Sequence, residues 1–239
     1  MTTLNILGSS SSGNGYILQN ESEAIVIECG CPLLEVERKL CFNVRKILGA
    51  LITHEHQDHA KYAKQIARRG VKMYMTQGTA LKVGIKNAEI VKYGNVYKVG
   101  SFKVLPFRTY HDAIQPCGYV IDCPDGNRVV FATDTHHLNY KFVGADYLMV
   151  ECNYEERLLA KSTEEGRVPM NVAKRVRLTH LSVDRCLRFI KNNAEKAKGI
   201  ILLHLSHENS NRETFKRKIQ QATGKMVYCA EKDLDINFL

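Results

Sequence analysis

The chain has 239 residues, a hydrophobic content of 44% and a formal net charge of +9 at pH 7. This composition is that of a globular protein and excludes a disordered chain. No apolar run approaches the roughly 20 residues of a membrane helix, and the first residues lack the pattern of a signal peptide. We therefore expect a cytoplasmic protein without membrane contact. The eight cysteines include no CxxC pair and are expected to be free thiols, and the basic charge fits a polyanionic partner.

The first part of the chain is rich in predicted strands. They are LNIL, YILQ, AIVIECG, KILGALITH, KMYMT, IVKYG and VYKVGSFKVLPFRTYH. The segment GSSSSGNG between the first two is predicted to be a loop, because serine and glycine favour turns. Two helices are predicted, PLLEVERKLCF and AKYAKQIARRG, and Gly70 ends the second.

A second series of elements begins near residue 118. Its predicted strands are GYVIDC, NRVVFATD, ADYLMVECN, IILLH and KMVYCA, with PDGN as the turn between the first two. One predicted helix is SVDRCLRFIKNNAEKAKG, with Ser182 as N-cap, and another is NSNRETFKRKIQQATG, which ends at Gly224. This order predicts an α+β fold in which two mixed β-sheets pack face to face with helices outside. We interpret residues 1–239 as one domain with two halves, approximately 1–117 and 118–239.

All nine histidines lie at or just after the end of a predicted strand. They are His54, His56, His59, His111, His136, His137, His180, His204 and His207. Loops at strand ends can be shaped without disturbing the core, so such positions favour a functional site. The segment ITHEHQDHA, residues 52–60, concentrates three of them with Asp58. A turn there can direct two sets of side chains towards two cations, and imidazole with carboxylate suits zinc, manganese or iron rather than calcium.

The pattern HxHxDH is the signature of the metallo-β-lactamase superfamily, which this chain resembles over its whole length. The segments FRTYHDA, VVFATDTH and IILLHLSHENS supply three further family positions in the expected order, His111, Asp134 and His204. The resemblance implies a four-layer αββα sandwich and two divalent metal ions, zinc, manganese or iron. It also implies the ligands: His54, His56 and His111 for one ion, Asp58, His59 and His204 for the other, and Asp134 as the bridge. His207 is the alternative to His204.

The same resemblance implies hydrolysis by a metal-bridging hydroxide, with Asp58 and His180 as catalytic residues. His180 stands where the phosphodiesterase branch has a histidine that protonates the leaving oxygen, and the alternative is a structural histidine beside a helix. Candidate contacts to phosphate or DNA are Ser12, Asn14, Lys174, Arg175, Arg177, Ser182 and His207. For the three basic residues the alternative is a solvated charged surface, and for the GSSSSGNG segment it is a turn without function.

Six segments narrow the resemblance to the YycJ/WalJ-type branch. They are SSSSGNGYIL, HDAIQPCGYVI, FATDT, VECNYEERLL, THLS and LHLSHENS, and the resemblance runs from about residue 4 to residue 220. This branch implies a double-stranded DNA 5′-to-3′ exonuclease that acts on DNA ends. The alternatives are a small-molecule, cyclic nucleotide-like phosphodiesterase and a non-catalytic metal-binding component of a DNA repair or phage complex. Two residues depart from the family pattern: Glu28 replaces the usual aspartate, and His136 the usual glycine.

Overall fold

A computed structural model describes residues 1–239. The strands are β1 Thr3–Ser10, β2 Gly13–Gln19, β3 Ala24–Ile27, β4 Ile47–Leu51, β5 Met73–Met75, β6 Glu89–Ile90, β7 Tyr97–Val99, β8 Phe102–Arg108, β9 Cys117–Asp122, β10 Arg128–Ala132, β11 Tyr147–Glu151, β12 Gly199–Leu203, β13 Met226–Cys229 and β14 Asp235–Asn237. The α-helices are α1 Leu33–Lys39, α2 Gln57–Ala60, α3 Ala63–Arg68, α4 Gln77–Val83, α5 Glu156–Glu164, α6 Met170–Thr179, α7 Val183–Asn193 and α8 Arg212–Thr223. None of them has the length and apolar character that a membrane span requires.

The strands form two mixed sheets of seven strands each. The first has the order β14-β1-β2-β3-β4-β5-β6, and the second has the order β13-β12-β11-β10-β9-β8-β7. In the first sheet β1, β2 and β3 pair antiparallel, whereas β3, β4, β5 and β6 pair parallel. In the second, β7, β8 and β9 pair antiparallel and β10 to β13 pair parallel. Each sheet therefore has a parallel part whose strands end at one edge.

The chain divides into two compact units. Unit one comprises Met1–Arg108, Ala113–Asn127 and Ala230–Leu239, and unit two comprises Thr109–Asp112 and Arg128–Cys229. The interpretation of residues 1–239 as a single domain with halves meeting near residue 117 stays a prediction.

In unit one, both faces of the first sheet are covered by other elements. One face packs against α1 and α3 through residues such as Val26, Val36 and Ile66, which are all nearly inaccessible to solvent. On the other side lies β9, where the hydroxyl of Tyr119 donates to the carbonyl of Ile52 over 2.7 Å. Strands buried on both faces explain why β3 and β4 are apolar throughout.

In unit two, the parallel strands β10 to β13 are covered by helices. Helix α7 buries Cys186, Phe189 and Ile190 on one side, a helical spacing of three and four residues. Its N-cap is Ser182, as predicted, and the side chain of Ser182 accepts a hydrogen bond from the Arg185 amide. Helix α8 ends at Gly224 in the left-handed conformation, also as predicted.

Several predicted elements have different boundaries in the structure. GSSSSGNG is wrong as a loop, because the register pairs Ser9 with Asn14 and Ser10 with Gly13, so that only a two-residue turn remains. The backbone pairing overrides the turn preference of serine and glycine. Of the predicted strand IVKYG, only Ile90 lies in a strand, the two-residue β6 Glu89–Ile90.

Three helical regions also differ from the prediction. AKYAKQIARRG is interrupted, because α2 ends at Ala60 and α3 begins at Ala63. The long helix after Ser182 ends at Asn193 instead of continuing to residue 198, and the Asn193 side chain bonds the backbone of Tyr140 and Phe142. Helices α4, α5 and α6 lie where no helix was predicted, and His180 therefore follows a helix rather than a strand.

Candidate metal centre

In unit one, three imidazoles meet beyond the carboxyl end of β4. His54 follows this strand by three residues, and its ring centroid lies 4.1 Å from that of His59 and 4.7 Å from that of His56. The side chain of Thr53 lies 2.8 Å from His54 Nδ1 and orients that ring. His54 and His59 are almost completely buried. The HxHxDH segment thus forms a compact cluster and not a solvated loop.

Asp58 and His59 belong to the short helix α2, which places them side by side. Asp58 Oδ2 lies 3.3 Å from His59 Nε2. Asn14 lies under both residues, with its side-chain nitrogen 3.1 Å from His59 Nε2 and 3.4 Å from the Asp58 carbonyl. Asn14 is fully buried. The structure therefore buries this candidate phosphate contact against two of the candidate ligands, Asp58 and His59.

The backbone of residues 29 and 30 supports the same helix. The Cys29 amide donates to the His59 carbonyl over 2.7 Å, and the Gly30 amide donates to the Asn14 carbonyl over 2.9 Å. A Cβ atom at Gly30 would lie 1.7 Å from the carbonyl oxygen of Asp58. Only glycine permits so close an approach, so Gly30 is required by the position of Asp58.

Glu28, which replaces the usual aspartate, is buried beside His59. Its Oε2 lies 3.6 Å from His59 Nδ1 and 3.4 Å from the Thr53 amide. Burial raises the pKa of this carboxyl, although His59 and Thr53 oppose the shift. The backbone at Glu28 has a φ of 64°, which is uncommon outside glycine. The glutamate carboxylate thus faces His59 Nδ1 at an ion-pair distance.

In unit two, three adjacent parallel strands bring candidate ligands to one edge. Asp134 follows β10, Glu151 is the last residue of β11, and His204 follows β12. With His180 they form a group whose ligand atoms all lie within 4.8 Å of one another. The carboxyl ends of neighbouring parallel strands meet at the same edge, which explains why residues so distant along the chain converge.

Asp134 lies at the middle of this group. Its carboxylate oxygens lie 3.4 Å from His204 Nδ1 and 3.7 Å from His111 Nε2. Asp134 and His204 both have positive φ angles, 37° and 52°. Non-glycine residues in this region are strained by about 1–3 kcal/mol and are concentrated at functional sites. The surrounding fold therefore holds the backbone of Asp134 and His204 in a conformation that the same residues would not adopt in an isolated loop.

His111 is oriented by a backbone carbonyl. Its Nδ1–H donates to the Thr179 carbonyl over 2.9 Å, which leaves Nε2 directed towards Asp134 and Asp112. Burial lowers the pKa of His111, even though Asp134 acts in the opposite direction. The neutral imidazole is the form that binds a metal ion.

Glu151 is the one member of this group that the sequence analysis did not single out. It is fully buried, and its Oε1 accepts from His180 Nδ1 over 2.5 Å. Its Oε2 accepts from the amides of Thr135 and Leu181 over 2.8 and 3.1 Å. Both oxygens are thus held by protein donors, which suits an orienting role. In the sequence, the feature that could have indicated this role is a single charged residue at the end of the apolar strand YLMVE.

The opposite charges of Glu151 and His180 determine the protonation of these two buried groups. Burial acts to raise the pKa of Glu151, but the charge and hydrogen bonds of His180 and His204 outweigh it and lower the pKa. Burial acts to lower the pKa of His180, but Glu151 and Asp134 outweigh it and raise the pKa. Both shifts favour the ionised pair.

The remaining candidate contacts lie on the surface. The side chain of His207 is 98% exposed and faces Glu208, whereas His204 is buried within the group. Arg175 pairs with Asp112 at 2.8 Å, and Arg177 contacts Glu156 through two nitrogens. Lys174 is exposed on α6, Ser12 is exposed at the turn after β1, and Ser182 caps α7.

The donor chemistry of both clusters fits divalent transition metals. Each combines several imidazole nitrogens with carboxylate oxygens, and neither includes a thiolate. This mixture is suited to zinc, manganese or iron, whereas calcium and magnesium prefer sites made of oxygen alone. These clusters are therefore able to hold divalent metal ions.

Comparisons with known proteins agree with this geometry. The family described as Beta-lactamase superfamily domain matches residues 24–205. Exodeoxyribonuclease WalJ of Streptococcus pneumoniae is 28% identical over 226 residues, covering 87% of this chain and 83% of the relative. Exodeoxyribonuclease YycJ of Bacillus anthracis is 25% identical over 234 residues, covering 90% and 87%.

A solved structure shows the same fold. The metallo-beta-lactamase fold protein YhfI from Bacillus subtilis superposes with a TM-score of 0.76 at 15% identity, covering 99% of this chain and 100% of YhfI. The predicted αββα fold with two mixed sheets is thereby confirmed. The family match spans well over half of the chain. The chain therefore belongs to the metallo-β-lactamase superfamily and is a metal-dependent hydrolase.

Proposed function

We propose that this hydrolase removes nucleotides from the ends of double-stranded DNA, as a 5′-to-3′ exonuclease. The observation that carries phosphodiester hydrolysis is His180, held by the buried carboxylate of Glu151 beside Asp134 and His204. The names of the two relatives, both exodeoxyribonucleases, support DNA as the substrate. The net charge of +9 supports the same substrate, because DNA binding depends on neutralising phosphates.

Two divalent ions are part of the proposal, each with its own ligands. The proposed ligands are His54, His56 and His111 for one ion, Asp58, His59 and His204 for the other, and Asp134 for both. Asp58 is in this way both a metal ligand and part of the catalytic machinery. When bound, the ions would supply a water activated near neutral pH and positive charge at the phosphate.

The protein supplies the proton for the leaving oxygen through His180. Because Nδ1 of His180 donates to Glu151, the ring orientation is fixed and Nε2 is the atom that carries the transferable proton. Glu151 itself is fixed by the amides of Thr135 and Leu181. Glu28, whose carboxylate faces His59 Nδ1, has the equivalent orienting role for His59 and leaves Nε2 as the proposed ligand atom.

The proposal is tested with linear duplex DNA labelled at either the 5′ or the 3′ end. We expect loss of 5′-terminal nucleotides with Mn²⁺ and none with EDTA. An Asp58→Ala, His59→Ala double variant should be inactive. Digestion from the 3′ end would contradict the polarity. No cleavage of DNA by metal-loaded protein that still hydrolyses bis(p-nitrophenyl) phosphate would indicate a small-molecule phosphodiesterase, and no hydrolysis of either would indicate a non-catalytic metal-binding protein.

The role of Glu151 gives a separate prediction. Glu151→Gln should lower kcat on duplex DNA by about 10- to 100-fold, because an orienting partner of a site residue typically has an effect of this size. The double variant Glu151→Gln, His180→Ala should be no slower than His180→Ala alone, since both changes remove one function. Glu164→Gln, a matched change at an exposed position of α5, should leave kcat unchanged. Additive losses in the double variant would show that Glu151 acts independently of His180.

A further inference from the structure

One face of α7 is lined with polar side chains that the proposed mechanism does not use. Arg185, Arg188 and Asn192 are separated by three and four residues and therefore lie on the same side of this helix. They line a pocket of about 490 Å³ together with His136, His137 and Asn139, from the loop that follows β10. Cavities of roughly 300–1,000 Å³ accommodate small organic ligands, a class that includes nucleotides.

The lining of this pocket is cationic and partly apolar. It contains two guanidinium groups, two imidazoles and two carboxamides, and no carboxylate. Leu138 and Phe189 are buried beneath these groups and supply an apolar surface. Guanidinium groups bind phosphate through paired hydrogen bonds, whereas apolar and aromatic surfaces bind a planar base. The pocket therefore suits a ligand with both a phosphate and a base.

The two imidazoles that line the pocket, those of His136 and His137, lie close to the ring of Tyr110. The ring of Tyr110 lies 6.0 Å from that of His136 and 5.9 Å from that of His137, measured between centroids. Tyr110 is 37% exposed, and His137 is also exposed. Aromatic rings at a surface rich in arginine are the feature by which proteins bind single-stranded nucleic acid.

The pocket adjoins the metal-binding group of unit two. His136 is two residues from Asp134, and Leu181, another lining residue, directly follows His180. Arg185 Nη1 donates to the His136 carbonyl over 2.9 Å and so connects α7 with the loop that follows β10. A guanidinium has five N–H donors, so most of them stay available to a ligand. The pocket is therefore lined by residues that are next in sequence to two members of the candidate metal group.

We propose that this pocket binds one unpaired nucleotide of the DNA strand being hydrolysed, with its phosphate on Arg185 and Arg188 and its base on His137 and Tyr110. The inference rests on the proposed function and adds to it. Bases stacked within a duplex cannot reach an aromatic side chain, so the terminal base pair must open before the strand binds.

The experiment measures binding of a short fluorescein-labelled single-stranded DNA with phosphorothioate linkages, which resist hydrolysis. The metal-loaded protein is compared with Arg188→Ala and with Arg217→Ala, which removes the same charge from an exposed position on α8. Arg188→Ala should weaken binding about tenfold and reduce the slope of log K against log salt by about 0.7, the value for one phosphate on a single strand. Arg217→Ala should change neither quantity. His137→Ala should weaken binding about fivefold or more, and His137→Phe should restore it, because phenylalanine keeps an aromatic face.

The outcomes for the pocket can be distinguished from the outcomes for the exonuclease activity. Equal effects of Arg188→Ala and Arg217→Ala, or no binding by the unaltered protein, would overturn it even if duplex DNA is digested. Failure of His137→Phe to restore affinity would overturn the stacking of the base. Selective loss with Arg188→Ala in a protein that digests no DNA would support the pocket and reject the exonuclease.

Discussion

Asparagine in place of Asp134 is expected to lower the rate of phosphodiester hydrolysis roughly 10³-fold, equivalent to about 4 kcal/mol of transition-state stabilisation. The carboxylate of Asp134 lies within 4 Å of nitrogens of His111, His180 and His204. Asparagine has nearly the same shape and tolerates a positive φ angle, so the loop should keep its conformation. What is lost is the negative charge that both proposed ions share. The measurements are kcat on duplex DNA and the metal content of the purified protein.

Asp184→Asn is the matched control for this change. Asp184 lies in the first turn of α7, its side chain is 66% exposed and it pairs with Lys218 at 2.7 Å. Surface pairs of this kind contribute about 0–1 kcal/mol, and we expect full metal content and unchanged kcat. If Asp134→Asn also kept its full metal content and a rate within about tenfold of the original, Asp134 would not be a shared ligand.

Alanine in place of Gly30 is expected to disrupt the HxHxDH cluster by displacing the backbone of Asp58. The new Cβ would lie 1.7 Å from the Asp58 carbonyl oxygen and 2.7 Å from the Asn14 amide nitrogen. Neither atom belongs to a flexible side chain, so the backbone must move, and overpacking of this kind typically costs about 1–3 kcal/mol or more. We expect a lower free energy of unfolding in urea together with a loss of bound metal, since Asp58 and His59 move with the backbone.

Gly70→Ala distinguishes this effect from a general loss of stability. Gly70 has a φ of 84°, so alanine is strained there, but nothing lies within 4 Å of its Cβ position. A destabilisation of roughly 1 kcal/mol is expected, with normal metal content. A Gly30→Ala protein that also retained its metal would show that the close approach to Asp58 does not position the cluster.

Much of the candidate site could be predicted because the types of its residues and their spacing along the sequence already indicate metal binding. The HxHxDH segment places four ligand-type side chains within six positions after an apolar strand, a pattern that favours metal binding over an ordinary polar loop. The resemblance to the superfamily supplies His111, Asp134 and His204, and each of them also follows a strand that the local hydrophobic pattern predicts. The same local reasoning predicted Ser182 as an N-cap and Gly224 as the end of α8.

Glu151 and Asn14 could not be assigned in this way. In sequence, Glu151 is an ordinary charge between a strand and a loop, and only the burial of both oxygens under two amides and His180 shows its role. The sequence predicts Asn14 to lie with Ser12 in a loop, yet Asn14 pairs with Ser9 in the β1–β2 ladder and is fully buried against Asp58 and His59. Both roles arise from contacts between segments that are distant along the chain.

The sequence by itself determined the family, through the HxHxDH motif and the ordered segments that follow it. The order of strands and helices predicted two mixed sheets, because strand patterns are local properties of the chain, and the resemblance implied the candidate metal ligands. The tertiary structure decided which candidates are buried together and which are exposed, as it did for His204 and His207. It also decided that the arginines of α6 pair with acidic residues, whereas those of α7 line a pocket. Burial and charge pairing depend on which segments pack against each other, and this is set by the complete fold.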